Sequence, residues 1–189
     1  MTLKDLLVPT YVQMLQALAA WLRKAQGEKP GAEAEALLLA RLAPDMFPLS
    51  TQVRFACVQA QEGMHRLNGT AFPSTLQELL DEGRNAAEHP GSMADALARI
   101  DETVALVTSL AAEPDDQDEQ RPIAHALPAG MVFDLTAAQF ARDWALPQFY
   151  FHVMTAYAIL RSQGIALGKV DYVAHMLGYL RQDTIPKSA

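Results

Sequence analysis

Four long segments place apolar residues at every third or fourth position, and this period narrows the fold more than any other feature. Leu7, Tyr11, Met14, Leu18 and Leu22 share one face of a helix predicted over about residues 3 to 25. Leu49, Val53, Ala56, Ala60, Met64 and Leu67 do the same over about 48 to 67, where Asn68-Gly69 supplies a left-handed stop. A third face carries Met93, Leu97, Ile100, Val104 and Val107 and ends near Leu110. The fourth helix is expected from Thr136 to Gln163, with Gly164 as its stop and a kink at Pro147. One apolar stripe per helix is what a bundle needs. The predicted class is therefore mainly α, a four-helix bundle.

Local signals set the boundaries. Thr2 with Asp5, Ser74 with Gln77, Ser92 with Asp95 and Thr136 with Gln139 have the spacing of reciprocal N-terminal caps. Pro44 and Pro48 close a shorter helix over about 32 to 42, and Asp45 is placed to cap the helix that follows. Pro122 to Leu127 and Met131 to Leu135 flank Pro128-Ala129-Gly130 and read as a small β-hairpin, in the crossover before the last long helix. Two strands alone are marginal, so the hairpin must pack on helices. Residues 1 to 168 read as one bundle domain, with an acidic linker at 113 to 119 and the hairpin at 121 to 135. Residues 169 to 189 read as a tail with a short helix over about 171 to 180.

Composition excludes several function classes. The net charge of −7 comes mostly from the linker, which holds five of the 22 acidic residues and leaves 17 against 15 basic ones. No basic patch interleaved with aromatics marks a nucleic-acid surface. No apolar stretch reaches the roughly 18 residues of a membrane span, and no signal peptide is evident, so a cytoplasmic location is expected. The single cysteine, Cys57, rules out an internal disulfide and reads as a small buried hydrophobe.

The segment from Trp144 to Gly164 is the densest in chemistry-bearing side chains. Gln148 and His152 lie one helical turn apart on one face, among Phe149, Tyr150 and Phe151, so a buried imidazole there needs a partner. The plain reading is a hydrogen-bonded core histidine, and the sharper one a ligand or acid/base group in a bundle-core pocket. Arg41 can pair with Asp45 or reach an anion at the pocket mouth. His65 reads as a solvated residue at a helix end, and His89, His125 and His175 as surface residues. No His-Glu-x-x-His pattern, phosphate loop or nucleophile elbow occurs.

The run from His152 to Gly164, with Leu160-Arg161, resembles the last helix of the DinB/YfiT-like superfamily. Arg41-Leu-Ala-Pro-Asp-Met-Phe-Pro-Leu49, Phe149-Tyr-Phe-His152 and Thr155-Ala-Tyr-Ala-Ile-Leu-Arg161 together resemble a bacterial family of unknown function within it. The resemblance implies a four-helix bundle and a divalent metal, zinc or nickel, held by three histidines. His152 matches the second histidine of the pair on the last helix. Gln148 holds the place of the first, and Gln52 the place of the histidine on the second helix. One histidine and two glutamines make a poor site for zinc or nickel, which favour imidazole and thiolate.

Three readings follow. The first is a small-ligand-binding or interaction module, probed at Gln52, Gln148, His152, Tyr150, Arg41 and Asp45, and expected to form a homodimer. The second is a metal-dependent thiol transferase or hydrolase using His152. The third is a structural homodimer without a small-molecule site.

Overall fold

A computed structural model of the chain describes residues 2 to 113, 118 to 127 and 129 to 181. The heart of the acidic linker, Pro128 of the hairpin turn and the end of the tail lie outside the described residues. The chain forms a helical bundle with one two-stranded hairpin. Helix α1 is Leu3–Glu28, α2 is Ala32–Ala36 followed by a 3-10 turn Leu37–Leu39, α3 is Leu49–Asn68, α4 is Ser74–Asn85 and α5 is Met93–Ala111. Strands β1 (Pro122–Ala126) and β2 (Val132–Thr136) pair antiparallel with Ile123 opposite Leu135. Helix α6 (Ala137–Gln139) runs through a π-helical turn, Phe140–Ala145, into α7 (Leu146–Ser162). The tail holds α8 (Lys169–Tyr172) and a 3-10 turn, Ala174–Tyr179, where one helix was expected.

The four long helices pack as their stripes require: α1 and α3 each touch both α5 and α7, and also meet each other. The stripe residues Leu7, Tyr11, Leu18, Leu22, Val53, Ala60, Met64, Ile100 and Val107 are fully buried or nearly so. Tyr11 and Phe149 meet edge to face at 4.8 Å, an arrangement worth about 1 kcal/mol beyond the area it buries. Gly63 lets the Tyr11 hydroxyl come close, since a Cβ there would sit 2.3 Å from that oxygen.

Helix ends are closed by side chains from other elements. Lys4 Nζ donates to the carbonyls of Leu110 (3.3 Å) and Glu113 (2.6 Å), and Asn68 Nδ2 also donates to Leu110 (3.0 Å). Arg121, just before β1, donates through Nη2 to the carbonyls of Arg66 (2.9 Å) and Leu67 (2.8 Å) in the last turn of α3. Carbonyls at a helix C-terminus lack the full set of intrahelical partners, so each such bond ties one element to another. The hairpin is thereby fixed to the end of α3.

Three of the four predicted caps form as reciprocal boxes, at Thr2, Ser92 and Thr136. The fourth does not: α4 starts directly after Pro73, which leaves Ser74 inside the first turn with no capping bond. Asp45 likewise does not cap α3, because Pro48 occupies the N-cap and brings no side-chain acceptor. Pro147 is accommodated differently from the expected kink. Its ring would strike the carbonyl four residues back, and the π turn just upstream absorbs the conflict. Leu146 N–H bonds the carbonyl of Ala141, five residues back, and Pro147 falls in the first turn of α7.

Candidate functional site

The bundle brings Gln52, near the start of α3, against His152 of α7, although 100 residues separate them. Both are buried, at 2% and 8% exposure. Gln52 Nε2 donates to the Phe47 carbonyl at 3.2 Å, which turns Oε1 toward the imidazole. His152 Nδ1 stands 2.8 Å from that oxygen and donates to it. The tautomer is thus fixed, with the proton on Nδ1 and the lone pair on Nε2. Burial pushes the ring down to about 4, so it is neutral at pH 7.

Aromatic rings wall this couple. Phe55 and Phe151 each meet the imidazole edge to face at 5.3 Å, and Phe47 packs on Phe55 at 5.5 Å. Phe47 and Phe151 are both about half exposed, so the wall opens to solvent on its outer side. Gly83 of α4 lets Phe55 take this position: a Cβ there would lie 2.5 Å from the ring. Thr51 Oγ1 donates to the Gly83 carbonyl at 2.9 Å and fixes the same approach of α4 to α3.

The other candidates sit around the couple rather than in it. Gln148 is half-buried one turn before His152. Arg41 is exposed and donates to the Met46 carbonyl at 3.3 Å, and Asp45 is exposed in the same loop. Tyr150 lies two residues from His152, roughly 200° around the helix. Its ring meets Phe149 at 5.8 Å, and its hydroxyl is pushed up by burial and by Tyr172.

The donor set does not fit a zinc or nickel ion. His152 Nδ1 is committed to Gln52, and Gln52 uses its carbonyl oxygen on the ring and its amide nitrogen on Phe47. That leaves one imidazole nitrogen and the amide of Gln148, against the three nitrogen or sulfur ligands such ions usually take. Among the described residues no group of three His, Cys, Asp or Glu is placed to hold a metal.

Two histidines expected at the surface are buried instead. His65 is 7% exposed, with Nδ1 2.8 Å from Thr70 Oγ1. His125 is 2% exposed and packs on Trp144, with ring centroids 4.3 Å apart. Its position was readable from the strand period, since His125 shares the inward face of β1 with Ile123. His89 is exposed as expected, and His175 is half-buried.

Comparison with known proteins gives the lineage. The profile of a domain of unknown function, DUF1993, matches residues 3 to 173. The chain belongs to the DUF1993 family. Among solved structures, this DUF1993 protein is similar to a DinB family member protein from Shewanella denitrificans. The two share 29% identity and a TM-score of 0.71 over 99% of this chain and 95% of the other. Among curated proteins none matches. No helix of the described DUF1993 chain is long and apolar enough to cross a membrane.

Proposed function

We propose that this protein is a small-ligand-binding or interaction module in which Gln52 and His152 stand where metal-binding relatives place histidines. The hydrogen bond between them carries the reading. It satisfies the imidazole from within the protein and leaves Nε2 as a single acceptor beside the Phe47, Phe55 and Phe151 rings. A neutral acceptor on an aromatic wall suits an uncharged ligand with one hydrogen-bond donor on a flat apolar body. With its affinity for protons this low, the imidazole is a weak general base at neutral pH, which speaks against the hydrolase reading.

The test is metal analysis of untagged protein, followed by calorimetric titration with zinc and nickel, in the wild type and His152→Ala. No saturable uptake in either protein is the expected result. Stoichiometric, micromolar metal that vanishes in His152→Ala overturns the reading and favours the metalloenzyme.

A homodimer is the second reading, supported by apolar side chains standing in solvent near the end of the described chain. Val170, Met176, Leu177 and Tyr179 are all more than half exposed. Sedimentation at micromolar concentration checks it, and a monomer mass rejects it.

A further inference from the structure

About ten residues further along α3, roughly 15 Å from Gln52, a second and separate cavity lies between α3, α4, the hairpin and the π turn. Its volume is about 420 Å³, within the range of small-molecule sites. Val58, Leu76, Leu80 and Leu127 give it apolar walls. Its polar lining is unusual because four buried nitrogens there, on three side chains, have no hydrogen-bond partner among the described residues. These are Arg66 Nε, Trp144 Nε1 and the ring nitrogens of His125, whose side chain is 3% exposed. Orphaned buried donors cost about 1–3 kcal/mol each, so their convergence on one cavity calls for an acceptor.

The surrounding elements hold these groups in place. The π turn carries Trp144 over the His125 ring, and Phe133 of β2 packs on the same indole at 5.9 Å. The Arg66 guanidinium rests 4.6 Å above the Phe72 ring. Glu62 Oε1 lies 3.7 Å from His125 Nδ1. Burial pushes the Glu62 carboxyl up and the His125 imidazole down. The lining holds two guanidinium groups, Arg66 and the Asp81-paired Arg84, against the single Glu62 carboxyl, and the unpartnered hydrogen-bonding capacity is mainly donor.

We propose that this cavity binds a small monocarboxylate with an apolar body, an aryl or short alkyl carboxylate. Its carboxylate would accept from Arg66, Trp144 and His125, and its body would lie along the leucine wall. The site shares no lining residue with the Gln52–His152 couple, so it stands or falls separately from the function proposed above.

The experiment titrates the full chain by calorimetry with phenylacetate, phenethylamine and 2-phenylethanol, which share a body and differ in the head group. Phenylacetate is expected to bind saturably at one site, with the amine and the alcohol at least about tenfold weaker. Trp144→Phe keeps the ring and removes the donor, and Arg66→Gln removes the charge. Each should weaken phenylacetate about tenfold or more, the usual worth of a hydrogen bond to a charged group, while circular dichroism shows the helical bundle retained. Wild-type protein without saturable phenylacetate binding overturns the proposal. So does equal or tighter binding of the amine, or unchanged affinity in both folded variants.

Discussion

Burial holds the His152 imidazole near 4, well below the roughly 6.5 of an unfolded chain. Between those values the unfolded state binds a proton that the folded state refuses, so stability falls as the solution is acidified through that window. A shift of this size corresponds to a loss of the order of 3 kcal/mol by pH 4, and proton NMR of the imidazole should find its midpoint near there. A midpoint near 6.5 would show the ring to be open to water. Cys57 is fully buried and its thiol is pushed up to about 12, so it should resist a disulfide exchange reagent until the chain unfolds. Fast native labelling would contradict that. Two glycines separate packing from propensity. Gly63→Ala drives a methyl into the enclosed Tyr11 hydroxyl and should cost about 1–3 kcal/mol in urea denaturation. Gly27→Ala meets nothing within 4 Å and should instead gain up to about 1 kcal/mol, since alanine is the better helix former.

At the scale of elements, the cap sites offer an equally sharp contrast. Ser92→Ala removes a reciprocal cap from α5 and should cost about 1 kcal/mol, whereas Ser74→Ala removes none and should be near neutral. Equal losses in thermal melts would mean that Ser74 caps α4 after all. The same pair shows what a sequence can disclose. A cap depends on residues three apart, so Thr2, Ser92 and Thr136 were legible, and Ser74 misled only because Pro73 takes the cap position. The helical stripes were legible for the same reason, being properties of neighbours. Gln52 and His152 were paired through a family resemblance, since nothing local joins residues 100 positions apart. The period of β1 puts His125 on the inward face with Ile123, but the rings that cover it, Trp144 and Phe140, come near only in the folded hairpin. Pro147 disclosed a conflict in the helix but not its resolution, because a kink and a π turn relieve the same clash.

Across the whole molecule, the tail acts as a clasp on α1. Trp21 Nε1 donates to the Asp171 carbonyl at 3.2 Å, Lys24 Nζ bonds Asp171 Oδ1 at 3.0 Å, and Tyr172 stacks on the Trp21 indole. Removing residues 168 to 189 should therefore uncover Trp21, shift its emission to the red and lower stability by about 1–3 kcal/mol. Unchanged emission would mean that the clasp is not formed in solution. The π turn reaches further than its six residues. An α-helix advances about 100° per residue, so one surplus residue between Phe140 and Ala145 resets the angular phase of everything after it. Trp144 is set against the hairpin from within that turn, and His152 against Gln52 beyond it. A lineage that lost the extra residue would keep a helix of nearly the same length, yet one of its two clients would be left facing the wrong way. The bulge is the gearing that lets a single helix serve both ends of the bundle, and its loss should separate descendants that retain one site from those that retain the other.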